Sequence, residues 1–495
     1  MGSFIFLEIF VVVCLVSVTT TLFNKRFLNL PQAIGVPIVS ALLVFLLQWV
    51  ATLLYGNQFF SINITAIEQT VRNINFYDFL INGVICFILT ASALKFKVSD
   101  LKNYYKPIGI LATLALLLCA VVFGFLLYGY QYITGHAVPL IVLLLLGSAL
   151  GATDPIGIKG VLSSIKAPEH LMIKLEGESL FNDAMCIAIF MTILKVIQGS
   201  EFHLLSAIEH LAYEVGVAVV IGLVFGKVAL YVLKGKNEME SLILTTAILA
   251  SGAYLVALYA HASAPIACVI GGLMVGNRWQ EFLAEKDIDE INHFWHTIEG
   301  IINSFLFTLI GLELFILDLN ASLIIGGVVA FIILHLARFV ANYTAFAFFP
   351  KVRKNAYKGT LEILSWGGVR GGISLALILA VANVPQLQPY TNVLIGYTFI
   401  VVLLSGVVCG LGLPAVINAF YHNPDEPTAG FRGAYQRFIH KIMNRTDRKY
   451  ILSEDKFGNQ TICIYEPTAK ELESLPKYND LAKETPATLN DPDRF

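Results

Sequence analysis

Apolar stretches recur along this chain at approximately 4–23, 36–55, 76–94, 107–132, 138–163, 170–197, 209–233, 241–260, 263–277, 293–317, 321–349, 359–384 and 391–420. A helix needs about 20 mostly apolar residues to cross the hydrocarbon core of a bilayer. The pattern therefore predicts an all-α polytopic membrane protein, with 13 transmembrane helices over 1–420 and a short polar tail over 421–495. The polar positions between the runs test that count. Odd-numbered spans are followed by Lys25-Arg26, then Lys95, Lys97, Lys102 and Lys106, then Lys166, Lys234 and Lys236, Arg278 and Lys286, and finally Lys351, Arg353, Lys354 and Lys358. Loops after even-numbered spans hold only Arg72, with Lys195 at a span end. Basic loops stay in the cytosol, so the N-terminus is expected outside and the C-terminus in the cytoplasm.

In the tail, basic and apolar residues alternate at helical spacing over 431–448, as in a helix lying on an anionic leaflet. Tyr450–Leu452 and Thr461–Tyr465 flank Phe457-Gly458-Asn459, which predicts a small hairpin. The last ~25 residues have the composition of a disordered segment.

Composition agrees with a bilayer protein. The chain is 57% hydrophobic and 14% charged, against about 25% charged in soluble domains. The net charge of −2 says nothing about nucleic acid, but no basic block outside the tail is long enough to track phosphates, so no nucleic-acid partner is expected. Seven cysteines fall singly, without zinc spacing or a disulfide framework. The first run has neither a basic n-region nor a small-residue cleavage site, and so reads as a retained span.

Three stretches place polar groups inside apolar runs, where ionisable side chains mark function more often than packing. Span 5 holds Thr153-Asp154-Pro155 between Gly151 and Gly157, a helix-breaking sequence beside an acid. Span 6 holds Glu176-Gly177-Glu178-Ser179-Leu180-Phe181-Asn182-Asp183. At 100° per residue Glu176, Ser179, Leu180 and Asp183 share a face, while Glu178 and Asn182 lie one turn apart on another. Asp183 and Ser179 can thus offer hard oxygen ligands to an alkali ion, with Asn182 as a hydrogen-bonding strut. Span 12 holds Arg370 within Gly367-Gly368-Val369-Arg370-Gly371-Gly372. A buried Glu178 requires a partner, and a bidentate Glu178–Arg370 pair is the expectation. Glu176, Glu214 and Glu313 have no assigned role. His261, His293, His296 and His335 stand without metal-ligand spacing.

With these residues in place, the chain resembles the monovalent cation–proton antiporter-1 family, which includes NhaP-type antiporters and animal sodium/proton exchangers. The resemblance rests on Ala152-Thr153-Asp154-Pro155, the 176–183 stretch and Gly367-Gly368-Val369-Arg370-Gly371, in that order, and covers roughly 1–420. It implies the NhaA-like antiporter fold: a homodimer with dimerisation helices, and a core around spans 4–6 and 11–13 built from inverted repeats whose broken helices, spans 5 and 12, cross. It further implies that Asp183 alternately carries a proton or a cation, and that Thr153 (main-chain oxygen), Asp154 and Ser179 complete coordination of Na⁺ or K⁺. Asn182 would brace the crossing; Asn182-Asp183 in place of two aspartates marks electroneutral one-for-one exchange.

Some members carry an extra acidic ligand in the third span, whereas 81–99 here contains no acid. The expected activity is antiport of a monovalent cation, Na⁺ first and Li⁺ or K⁺ as alternatives, against H⁺ in a plasma or inner membrane, serving pH and cation homeostasis. No ATP-binding loop or cofactor motif is present, so an ion gradient is the expected energy source. Two readings stand beside it: an electrogenic carrier or channel of the same fold, and an intramembrane aspartyl protease using Asp154 and Asp183.

Overall fold

The computed structural model describes residues 2–28, 30, 32–53, 84–135, 138–154, 162, 169–199, 204–235, 238–312, 320–350, 352, 359–381, 384–421, 449–454 and 460–465. Residues Met1–Phe431 and Arg432–Phe495 form two compact units. The regular elements described in the first are helices: α1 (Gly2–Phe23), α2 (Gln32–Leu53), α3 (Ile85–Lys95), α4 (Val98–Ile110), α5 (Leu116–Ile133), α6 (Leu140–Ala149), α7 (Glu169–Ile197) and α8 (Leu204–Leu233). There follow α9 (Met239–Tyr259), α10 (Ala264–Gly276), α11 (Glu285–Leu312), α12 (Ala321–Ala347), α13 (Thr360–Trp366), α14 (Gly372–Ala380), α15 (Thr391–Leu404) and α16 (Leu411–Tyr421).

Wider π-type turns at Leu111–Ala115 and Ser405–Gly410 join α4 to α5 and α15 to α16 without breaking the rod. By length and composition, six described segments are apolar and long enough to cross a membrane: Leu101–Ile133, His170–Ile197, Glu209–Leu233, Met239–Tyr259, Ala321–Ala347 and Gln388–Ile417.

Local chemistry sets the ends of these rods. Asn320 caps α12, its Oδ1 accepting from Leu323 N at 2.7 Å, which satisfies a backbone donor that the first helical turn leaves free. Pro265 occupies the first turn of α10, where a missing N–H costs nothing. α10 packs against α3, α8 and α9, α11 against α2, and α12 against α5 and α15. Apolar side chains make the main core, which buries Phe123 and Phe190, and a smaller cluster buries Trp279 and Trp295.

In the second unit, β1 (Lys449–Glu454) pairs antiparallel with β2 (Gln460–Tyr465), Tyr450 opposite Ile464 and Leu452 opposite Ile462. This is the hairpin that the alternating pattern predicted. The expected helix over 431–448 and the final residues lie outside the described residues, as do Pro155, Gly157 and Glu313.

Helix ends at both glycine-bearing stretches. α6 stops at Ala149, Leu150 and Gly151 turn, and Ala152–Asp154 are not helical. α13 stops at Trp366, and the chain runs without helix to Gly371 before α14 begins. The interruptions meet: Asp154 N donates to Val369 O at 2.8 Å.

Candidate functional site

The meeting point exists because two glycines leave room for charged side chains. A Cβ on Gly371 would lie 2.7 Å from Asp154 Cβ, and one on Gly368 would lie 2.6 Å from Arg338 Nε. Both distances are shorter than a carbon can approach, so the backbone there must be glycine for the acid and the guanidinium to occupy their positions.

α7 runs past this crossing and divides its side chains between two faces. Glu176, Ser179, Leu180 and Asp183 line a cavity of about 440 Å³, together with Ala152, Thr153 and Asp154 from the α6 interruption and Gly371 and Gly372 from the start of α14. These four α7 residues are the face anticipated from helical spacing. Ser179 Oγ donates to the Thr153 carbonyl. Asp183 is 7% exposed, and its Oδ1 has no hydrogen-bond partner among the described residues. Asp154 is half-buried at the same cavity. All four residues expected around the cation, Thr153, Asp154, Ser179 and Asp183, therefore share one enclosure.

The other face of α7 turns into protein. Asn182 Nδ2 donates to Gly151 O at 3.1 Å, with Thr153 Oγ1 at 3.5 Å. Cys186 Sγ donates to Ser148 O at 2.8 Å one turn farther on. These contacts fasten α7 to carbonyls at the end of α6.

Glu178 is held differently from the sequence expectation. No Glu178–Arg370 ion pair forms; the partner is Arg338 of α12, whose NH2 lies 2.6 Å from Glu178 Oε1, with both side chains buried at 6% and 2% exposure. Arg338 also donates to Leu364 O through Nε at 3.3 Å and NH2 at 3.1 Å. Arg370 instead donates through NH1 to Gly151 O at 2.7 Å and Ala152 O at 3.1 Å, and its backbone N–H donates to Ser405 Oγ at 2.9 Å. Arg370 thus sits on the carbonyls just past the end of α6, and Arg338 on a carbonyl in the last turn of α13. A C-terminal helix end carries partial negative charge, and a guanidinium offers several donors and does not lose its proton. Arg370 meets the carbonyls at the α6 end through Nη1 alone, its Nε and Nη2 having no hydrogen-bond partner among the described residues, while the full charge of Glu178 takes Arg338.

Arg338 was not among the residues singled out from the sequence. Its signal was available, since it is the only charged residue in the 27-residue helix α12. Of the acids without a role, Glu214 pairs with Lys195 at 3.2 Å and Glu176 lines the cavity. Glu362, near the start of α13, accepts from Tyr343 OH at 2.6 Å.

Comparison with known proteins agrees with this architecture. The sequence matches the family described as "Sodium/hydrogen exchanger, transmembrane" over residues 14–419. It is 32% identical over 433 residues to the Na⁺/H⁺ antiporter NhaP of Pseudomonas aeruginosa, covering 86% of this chain and 99% of that one. It is 30% identical over 295 residues to the Na⁺/H⁺ antiporter NhaH of Halobacillus dabanensis, covering 57% of this chain and 69% of that one. Among solved structures, the fold is similar to that of the sodium proton antiporter MjNhaP1 from Methanocaldococcus jannaschii, with a TM-score of 0.66 at 20% identity, over 85% of this chain and 100% of that one. The family is one of transporters, which removes the protease reading of Asp154 and Asp183. A polytopic helical protein whose interrupted helices meet beside a buried aspartate, this chain belongs to the sodium/hydrogen exchanger family.

Proposed function

We propose that the chain exchanges Na⁺ for H⁺ one for one, and that Asp183 is the carboxylate for which the two ions compete. The observation that carries this reading is the buried Asp183 Oδ1, without a hydrogen-bond partner among the described residues, at a cavity that also holds Asp154, Ser179 and Thr153. A bare buried carboxylate is unstable unless it is protonated or ion-paired. Here a proton or a partly dehydrated Na⁺ satisfies it, with oxygen ligands from Asp154, Ser179 and the Thr153 main chain. When the cation arrives, the Ser179 hydroxyl leaves the Thr153 carbonyl, and both oxygens turn to the ion.

Only the neutralised site crosses the low dielectric between inward- and outward-facing states, and this couples the two fluxes. Glu178, Arg338 and Arg370 keep fixed charges and so add nothing to the ions moved. Asn182, an amide where a second carboxylate could stand, keeps the stoichiometry at one proton per cation.

We further propose that residues 1–420 form 13 spans, with a core of inverted repeats around spans 4–6 and 11–13. The matching arginine caps on α6 and α13 support that symmetry. The protein works as a homodimer, N-terminus outside and tail 421–495 in the cytoplasm, as the alternation of basic loops supports. Everted vesicles loaded with a pH-sensitive dye test the exchange. Na⁺ added to wild-type vesicles dequenches the dye, Asp183→Asn abolishes the response, and retained exchange in that variant overturns the carrier assignment. Running Na⁺, Li⁺ and K⁺ separately sets the selectivity.

A further inference from the structure

One face of α11 follows the whole cavity. His296, Glu299, Gly300, Asn303, Leu306 and Phe307 all line it, at the i, i+3, i+4, i+7 spacing of a single helical stripe. The stripe is polar at one end and apolar at the other. Its apolar end reaches the crossing, where a Cβ on Gly372 would lie 3.2 Å from Leu306 Cβ. Its polar end meets α3: Lys95 Nζ lies 2.6 Å from Glu299 Oε2, and Ser92 Oγ donates to Glu299 Oε1 at 3.3 Å. Lys95 and Ser92 line the same cavity as Asp183. Between the two ends, Asn303 is buried and its Nδ2 has no hydrogen-bond partner among the described residues.

The Lys95–Glu299 pair is only partly withdrawn from solvent, at 29% and 13% side-chain exposure. Partly exposed pairs contribute little to stability. Their charges still act on a cation moving through a cavity with low-dielectric walls, where field lines are focused.

Resting on the reading of Asp183 as the exchange site, we propose that Glu299 is a second, relay ligand for the transported monovalent cation, with Lys95 as its resident competitor. An entering cation displaces the ammonium group from Glu299, using the carboxylate as a first stop, and then passes along Asn303 to Asp183. With the cation gone, Lys95 returns to Glu299 and keeps the vestibule from trapping the ion. The lysine thereby sets the concentration at which the pathway fills. The third helix contributes no acid of its own; Glu299, projecting from α11, supplies one against that helix.

The test is the half-saturating Na⁺ concentration for exchange by the full-length protein in proteoliposomes, with Asp183→Asn as the blank. Lys95→Gln frees Glu299 and lowers the half-saturating Na⁺ about fivefold; Glu299→Gln leaves Lys95 uncompensated and raises it about fivefold. These are the sizes expected for one unit charge acting on the ion across a partly screened site. The double variant returns to within about twofold of wild type, and the single-variant shifts shrink when inert salt is added.

A merely structural pair would lower protein yield or thermal stability and leave half-saturation in place. Unchanged half-saturation in both single variants, or shifts in the same direction, overturns the proposal. If Glu299→Gln does not fold, Lys95→Gln alone decides by the sign of its shift. Wild-type exchange no greater than the Asp183→Asn blank overturns the exchange reading itself, and this proposal with it.

Discussion

Glu178 and Asp183 stand five residues apart on one buried helix and have opposite surroundings. Glu178 faces Arg338, a cation that neither leaves nor loses its proton. Asp183 faces a cavity and has no ion-pair partner among the described residues; each acid keeps one oxygen without a hydrogen bond there, so the fixed cation beside Glu178 is what separates them. Five residues turn an α-helix by about 140°, which is enough to give one acid to the scaffold and the other to the substrate. A transport site needs a charge whose partner can be exchanged, and a fold needs charges whose partners cannot. α7 provides both within two turns.

The sharpest way to break the contrast is to remove the exchangeable charge. Asp183→Asn abolishes Na⁺-driven proton movement and leaves the thermal stability of the purified protein equal to or above that of wild type, because a desolvated acid disappears. Removing the fixed charge does the reverse. Arg338→Ala strands Glu178 in the interior and is expected to destabilise the fold by about 3–5 kcal/mol. A thermal unfolding series in detergent reads that loss. Replacing both partners by apolar groups, Glu178→Met with Arg338→Met, should recover more than half of it.

Asn182→Ala has a smaller effect. It removes one of the two side-chain donors to Gly151 O, Arg370 remaining, at about 0.5–1.5 kcal/mol, and the unfolding midpoint falls accordingly while some exchange survives. Ser179→Ala is expected to be mildest for folding. It removes one hydroxyl ligand, raising the half-saturating Na⁺ a few-fold, about the 1 kcal/mol of one neutral hydrogen bond. A Ser179→Ala protein with unchanged half-saturation would remove Ser179 from the cation shell.

Much of the site was legible from the chain. The interruptions are local chemistry: Gly151 and Pro155 in one stretch, and four glycines around Arg370 in the other, weaken a helix wherever they fall. The division of α7 into two faces follows from its 3.6-residue period alone, and the cavity lining agrees with it residue by residue at Glu176, Ser179, Leu180 and Asp183.

Pairing was not legible. Arg338 and Arg370 each lie in an apolar stretch, and either could have reached Glu178. Only the meeting of the α6 and α13 ends shows that Arg370 is occupied by Gly151 and Ala152 carbonyls. Lys95 looked like one more basic loop residue, yet it closes α3 and points its charge at Glu299, 204 positions away.

The sequence on its own determined what each segment is: which runs are apolar enough for a bilayer, where helices must break, and which acids and amides share a helical face. Those properties depend on neighbours within a turn or two, and the chain states them directly. Tertiary structure assigned the partners, Arg338 to Glu178, Arg370 to the end of α6, and Glu299 to Lys95. Charge pairing joins residues far apart in sequence, and among several chemically equivalent candidates only the packing of helices selects the pair that is close enough to form.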